Sequence, residues 1–182
     1  MIVHDDFVPE RKHKLIHSVM ADPFLWQDTR RHWWDGLDPV TPVQQLINYL
    51  WHERCLNRRS SDFLEDAEEG CGFEYWINQL AEKDSLELHQ DHDRKLLAAE
   101  GILVHPIFSS VFYPGDNQVS GGELHVCEEG QPEEVLLPHF NRMVILDGTT
   151  PHFVAEVKAG IRRSITINVW ETPPMDFAEL PS

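Results

Sequence analysis

Hydrophobic and polar positions along the chain follow two different periods. From Val43 the apolar residues recur at helical spacing, as Val43, Leu46, Ile47, Leu50, Trp51 and Cys55. Thr41 can cap that helix and Pro42 suits its first position. Pro9 to Met20 reads as an earlier helix, with proline near its start. Between the two, residues 21–40 set Trp26, Trp33 and Trp34 among charges. They read as a loop that covers the core or walls an entrance. Residues 59–74 are polar and acidic and read as a surface connection, with the apolar pattern resuming at Phe73. Residues 1–84 are thus expected to be mainly helical. Their Val43 stripe is expected to pack on the outer face of the sheet that carries Leu86 and Leu88.

From Ser85 the period falls to two. Ser85-Leu86-Glu87-Leu88-His89-Gln90-Asp91 alternates, with His89 and Asp91 on one face and Leu86 and Leu88 on the other. Arg94 to Ala99 reads as helical. Short strands are then expected at Ile107–Tyr113, Glu123–Cys127, Val135–Leu137, Met143–Asp147, Phe153–Val157 and Arg162–Trp170. In the last of these, Ile165, Ile167 and Val169 face one way, and Arg162, Ser164, Thr166 and Asn168 the other. Several short strands in a row mean a jelly roll or barrel. The fold class is therefore α+β with a mainly β core: a helical support region at 1–84, a β core at 85–170 and a tail at 171–182. A chain of 182 residues is expected to form one domain.

Composition narrows the functions open to it. A formal charge of −16 repels nucleic acid over most of such a surface. Arg30-Arg31 and Arg58-Arg59 read as ordinary surface charge. No apolar run approaches the about 20 residues of a membrane span. The N-terminus has no basic stretch ahead of an apolar one, so no signal peptide is read. Cys55, Cys71 and Cys127 are odd in number and lack a CxxC spacing, which fits buried apolar thiols in a reducing compartment. A cytoplasmic location is expected.

The candidate chemistry lies at His89-Gln90-Asp91, with His152 63 residues after His89 and Arg162 ten beyond that. About one His-x-Asp match is expected by chance from composition, and two occur. His4-Asp5-Asp6 precedes the first helix and reads as a solvated turn. His89-Gln90-Asp91 sits on a strand, where two ligands at i and i+2 can converge on one metal. Two histidines and one carboxylate occupy one face of an octahedral Fe(II) and leave the other face open. Arg162, a planar fork on the polar face of its strand, would hold the far carboxylate of a bound 2-oxo acid. A cupin-like metal-binding module without oxygenase activity is the alternative, and it has no need of Arg162. His92 and Asp93 either touch substrate or cap the helix that starts at Arg94, and capping is the favoured reading. His105, His125 and His139 read as structural or exposed, and Gly121-Gly122 as a tight turn.

Taken in order, Leu88-His89-Gln90-Asp91, Phe112-Tyr113, Gly121-Gly122-Glu123-Leu124, Arg142 to Asp147, and His152 through Val157, Gly160, Arg162 and Ser164 resemble the 2-oxoglutarate/Fe(II)-dependent dioxygenases. The compact prolyl-4-hydroxylase-like branch is the nearest match. The resemblance covers about residues 85 to 170, and the opening Ile2-Val3 with Asp5 to Pro9 is similar too. It implies a double-stranded β-helix, cupin-like, with N-terminal helices on its outer face. It also implies Fe(II), 2-oxoglutarate and O2, and hydroxylation of a small metabolite, amino acid or peptidyl residue with release of succinate and CO2. By the same resemblance His89, Asp91 and His152 hold iron, Arg162 anchors 2-oxoglutarate, Tyr113 donates its hydroxyl to the 2-oxoglutarate carboxylate and Ser164 assists. A carboxylate at Asp91, where related halogenases carry a small residue, favours hydroxylation. After Tyr113 the family's usual Leu-Asn-like pair is replaced by Pro114-Gly115, so the substrate does not carry over.

Overall fold

The computed structural model describes residues 1–56, 72–116 and 118–178. Along the chain the elements are β1 (Ile2–His4), α1 (His13–Met20), β2 (His32–Trp34), α2 (Pro42–Asn48), β3 (Gly72–Leu80), β4 (Leu86–His89), α3 (Arg94–Glu100) and β5 (Phe108–Tyr113). They continue with β6 (Ser120–Gly121), β7 (Leu124–Val126), β8 (Glu134–Leu136), β9 (Arg142–Asp147), β10 (His152–Val154), β11 (Val157–Ala159) and β12 (Arg162–Trp170). A 3₁₀ turn at Glu10–Lys12 leads into α1, and a π-helical stretch, Tyr49–Leu56, continues α2. No helix among the described residues is long and apolar enough to cross a membrane.

The strands form a six-stranded antiparallel sheet in the order β1-β9-β5-β12-β3-β2 and a four-stranded one in the order β4-β10-β7-β8. β12 is the middle of the larger sheet, paired over its whole length with β3 and on its other side with β5. Its two faces meet different surroundings, as alternation predicts. Ile165, Ile167 and Val169 pack with Phe73, Tyr75 and Ile77 of β3 against Ile16, Val43, Leu46 and Leu50 of the helices. On the opposite face Val111, Val144 and Leu146 meet Leu124, Val126 and Val154 of the smaller sheet. The two sheets thus enclose an interior, and the helices cover the larger sheet from outside. This is the jelly roll expected from the strand pattern.

The α2 start follows its residues. Thr41 accepts from the Gln44 backbone N–H (3.2 Å), and the Gln44 side chain accepts from the Thr41 N–H in return (3.0 Å). Such a cap stabilises by about 1 kcal/mol.

Several expectations change. The described part of residues 1–84 is not helices and loops alone, since it also contributes β1, β2 and the nine-residue β3. β3 is buried on both faces for most of its length, so its residues show no polar-apolar alternation to read. The stretch 21–40 is not simply a loop: His32–Trp34 pairs with β3, and Trp26 and Trp34 are buried in the helical-side core. The α2 stripe packs on the six-stranded sheet, not on the one that carries Leu86 and Leu88, and Leu88 is 62% exposed. His4 belongs to β1, paired with β9, and Asp5 holds Arg142 in an ion pair of 2.6 Å. His4 to Asp6 are exposed, and Asp5-Asp6 form a bend, in keeping with a solvated turn. The acidic connection, with Arg58, Arg59 and Cys71, lies outside the described residues except for its last three positions, which start β3.

Candidate active site

β4 ends at His89 and pairs with β10 so that His89 stands opposite His152. The two imidazole centroids are 4.5 Å apart. Asp91 follows two residues after His89, beyond the end of the strand. Its Oδ2 lies 3.9 Å from His152 Nε2. One donor atom from each of His89, Asp91 and His152 falls within 4.8 Å of the others.

The surroundings of each side chain prepare it to donate electrons inward. His89 Nδ1 faces the Glu87 carbonyl at 2.7 Å, and His152 Nδ1 faces the Thr150 carbonyl at 2.9 Å. A carbonyl only accepts, so each Nδ1 carries the proton and each Nε2 keeps its lone pair. Burial pushes His152 below the usual imidazole range, although Asp91 pulls partly the other way. A neutral His152 is therefore the resting form at neutral pH. Ser109 Oγ donates to Asp91 Oδ2 at 2.9 Å, while the buried Oδ1 has no hydrogen-bond partner among the described residues. Gln90, between the two ligand candidates, donates to the Thr149 carbonyl at 2.5 Å. His105 Nδ1 donates to the Asp91 carbonyl at 2.6 Å. Two imidazoles whose Nδ1 atoms are engaged by carbonyls, leaving Nε2 to face inward, and a buried carboxylate oxygen lacking a partner among the described residues suit a divalent cation such as Fe(II).

A second feature lies on the same interior face. Arg162 is 1% exposed. Its Nε donates to the Gly122 carbonyl (2.9 Å), Nη1 to Ser164 Oγ (2.8 Å) and Nη2 to Tyr113 Oη (2.9 Å). All three partners are neutral, and no described carboxylate forms a salt bridge with it. A buried cation without a counter-charge is costly, so the position calls for an anion. Gly122 helps make room: its φ is +72°, and a Cβ there would come within 3.0 Å of Arg162 Cδ. Arg163, on the opposite face, bonds Gln79 and lies over Trp26.

Both features open on one cavity of about 390 Å³. His89, His152, Arg162 and Ser164 line it together with apolar Leu86, Val111, Leu124 and Val154. Tyr113 reaches it through Arg162. Leu86 and Leu88 line the cavity as well, rather than facing away from His89 as alternation predicts, and the pairing of β4 with β10 shifts register between Leu86 and His89.

Sequence reasoning missed part of this wall. Arg31 is not ordinary surface charge. Its Nη1 donates to Glu74 Oε1 at 2.7 Å and its guanidinium lies 4.2 Å over the Trp76 ring. Arg31, Trp76, Asn78 and Arg94 all line the cavity. Glu74 is buried, which pushes its pKa up while Arg31 pulls it back. The 21–40 segment, read as a possible entrance wall, contributes Arg31. Asp93 caps α3 by accepting from Leu96 N at 2.9 Å, and its other oxygen accepts from Met175 N at 2.6 Å. His92 turns to the Gln90 carbonyl, and His125 pairs with Glu133.

Residues 75–170 match the family model described as the 2OG-Fe(II) oxygenase superfamily. No curated protein matches the sequence. Among solved structures, the chain is similar to a Pseudomonas putida prolyl-4-hydroxylase, with TM-score 0.67, 18% identity, and coverage of 94% of this chain and 88% of that one. A Trichoplax adhaerens prolyl hydroxylase, solved with a peptide fragment of the hypoxia inducible factor oxygen degradation domain, gives TM-score 0.63 at 14% identity, covering 100% and 86%. A Burkholderia pseudomallei oxidoreductase of the 2OG-Fe(II) oxygenase family gives TM-score 0.54 at 20% identity, covering 80% and 66%.

Proposed function

The chain belongs to the 2OG-Fe(II) oxygenase superfamily, and from that premise we propose that it hydroxylates a C–H bond of a small metabolite, amino acid or peptidyl residue. As a member of that family it is an enzyme that uses Fe(II), 2-oxoglutarate and O2. In this reading His89, Asp91 and His152 hold the iron, and Arg162 binds the far carboxylate of 2-oxoglutarate. When bound, iron and 2-oxoglutarate together supply the oxidising chemistry, with succinate and CO2 as the co-products.

The residues of the chain have distinct tasks. The Glu87 and Thr150 carbonyls fix the imidazole tautomers. Ser109 fixes the Asp91 carboxylate by donating to Oδ2, the oxygen that lies 3.9 Å from His152 Nε2. Tyr113 and Ser164 orient the Arg162 guanidinium and are placed to share the same carboxylate. Val111, Leu124 and Val154 keep the interior apolar, which strengthens the charge interactions made there. A carboxylate at Asp91 occupies the position where halide would otherwise sit, which favours hydroxylation.

One observation carries the reading: a His-Asp-His cluster and a buried arginine without a counter-charge open on the same cavity. A metal-binding module without oxygenase activity accounts for the first and leaves the second without a role. The likeness to a prolyl-4-hydroxylase and to a peptide-bound prolyl hydroxylase keeps a peptidyl residue among the substrates to be tested.

The test is an anaerobic titration of the apo-protein with Fe(II) and 2-oxoglutarate. The weak visible charge-transfer band of the chelate should grow in, and His152→Ala should abolish it. Metal binding with no such band would replace the oxygenase reading with the metal-module one.

A further inference from the structure

Arg162 is one of three arginines on the cavity. Arg31 and Arg94 line it too, and among the described residues Glu87 is the one lining acid apart from the ligand cluster. The chain as a whole has 15 Lys and Arg against 31 Asp and Glu, so the cavity reverses the sign of the balance around it. A cleft of one sign concentrates ligands of the other.

The three arginines differ in depth. Arg162 is fully buried, Arg31 is half-buried and Arg94 is exposed. Arg31 and Arg94 therefore reach solvent from the cavity wall. Arg31 is held in place twice, by the Trp76 face beneath it and by Glu74 at Nη1. That hold uses one edge of the fork. Its remaining N–H groups have no hydrogen-bond partner among the described residues. Arg94, the first residue of α3, forms no salt bridge with a described carboxylate. Glu74 also accepts from Trp170 Nε1 at 3.2 Å, so its charge is not satisfied by Arg31 alone. Its being Arg31's anchor does not explain why Arg31 faces the cavity.

We propose that Arg31 and Arg94 form a second carboxylate subsite, which binds an acid group of the molecule that is oxidised. The proposal rests on the oxygenase reading, in which Arg162 is already taken by 2-oxoglutarate. Glu74 and the exposed Glu87 balance the formal charge of Arg31 and Arg94, so recognition rests on hydrogen-bond geometry: the planar guanidinium fork matches a carboxylate's two oxygens. Asn78 adds a polar group to the same wall.

The experiment uses the full chain loaded with Zn(II), which is diamagnetic and does not turn over, and with 2-oxoglutarate. The arginine Nε–H signals are followed by NMR. One panel of probes pairs the N-acetyl amino acids with their primary amides and reads a free acid. A second pairs capped Asp and Glu dipeptides with their Asn and Gln counterparts and reads a carboxylate within a peptide. At least one acid should bind about tenfold or more tightly than its neutral partner. The Arg31 and Arg94 signals should move. Arg94→Gln and Arg31→Gln should each erase the preference. Arg94 is exposed, so its substitution tests the subsite even if loss of Arg31 from buried Glu74 impairs folding. Equal binding of acids and neutral partners, failure of every acid to bind, or a preference that survives Arg94→Gln would each overturn the subsite. The oxygenase reading is checked separately in the same sample, since 2-oxoglutarate should move the Arg162 signal. If it does and no acid preference is found, only the subsite fails. If it does not, the oxygenase reading fails.

Discussion

The two faces of β12 are built from one strand and do opposite work. Ile165, Ile167 and Val169 face the helices and pack into a core of apolar side chains. Arg162, Ser164 and Thr166, displaced by a single residue, face the cavity. The first set satisfies burial by contact alone. The second is equally buried, yet it contains a cation whose partners are a carbonyl and two hydroxyls. A face that buries unmatched polarity is held for a ligand and not for stability, because an apolar replacement of the same volume is often no less stable. The comparison makes different demands on substitutions in the two faces.

The largest effect is expected on the cavity face. Arg162→Gln should weaken 2-oxoglutarate binding by about 100-fold, since charge-assisted hydrogen bonds to a carboxylate are lost in a desolvated site. The apo-protein should melt no lower than wild type, because the cation removed had no counter-charge. Calorimetric titration of 2-oxoglutarate onto the Zn(II)-loaded protein, with a melting curve of the apo form, checks both halves. Unchanged 2-oxoglutarate affinity would remove Arg162 from the anchor role.

On the opposite face the signs reverse. Ile165→Ala should cost about 2–5 kcal/mol of stability, through lost transfer energy and the cavity left in a fully packed layer. The folded fraction should bind Fe(II) and 2-oxoglutarate as wild type does, because Ile165 does not line the cavity. Denaturant unfolding paired with the charge-transfer titration separates the two. A weakened chelate in folded Ile165→Ala would show that the faces are coupled through the strand.

That asymmetry also explains what can be read in advance. The α2 stripe and the limits of Arg162–Trp170 are legible because one side of each is apolar and the period is local. The His89, Asp91 and His152 cluster is legible as a ligand set, and strand pairing of β4 with β10 brings its two halves together. β3 is not, because Gly72 to Ile77 is buried on both sides for most of its length. Arg31 is not, because its partner Glu74 is 43 residues away and only the pairing of β2 with β3 joins them. A glutamate within the Phe73–Trp76 run is the available signal, since a buried acid needs a cation nearby. His105 reads as structural from its sequence position. It does hold backbone, but the backbone is that of Asp91, a link that no spacing rule contains.

The smallest effect sharpens the comparison through pH, since each side of the sheet holds a histidine at least partly withdrawn from water. His152 lies in the cavity, and His52 meets the rings of Trp34 and Phe73 on the helical side. Burial lowers both below the usual 6.5. A histidine with a folded pKa below its unfolded one takes up a proton more readily when unfolded. Its contribution to stability is therefore present above pH 6.5 and lost as pH falls toward the folded value. Each such group can steepen the acid limb by at most about 1.4 kcal/mol per pH unit. Glu74, raised by burial, acts in the opposite direction, but equally in every variant compared. Melting temperatures of the apo-protein between about pH 5 and 8 should fall on the acid side, and His52→Gln and His152→Gln should each flatten that limb. Saturating Zn(II) should raise the melting temperature of wild type and of His52→Gln, and by more as pH rises, because the metal competes with the proton at His152. It should do nothing in His152→Gln, where the acid slope that remains belongs to His52. A metal effect of the same size in all three proteins would place the ion elsewhere and dissolve the distinction between the faces.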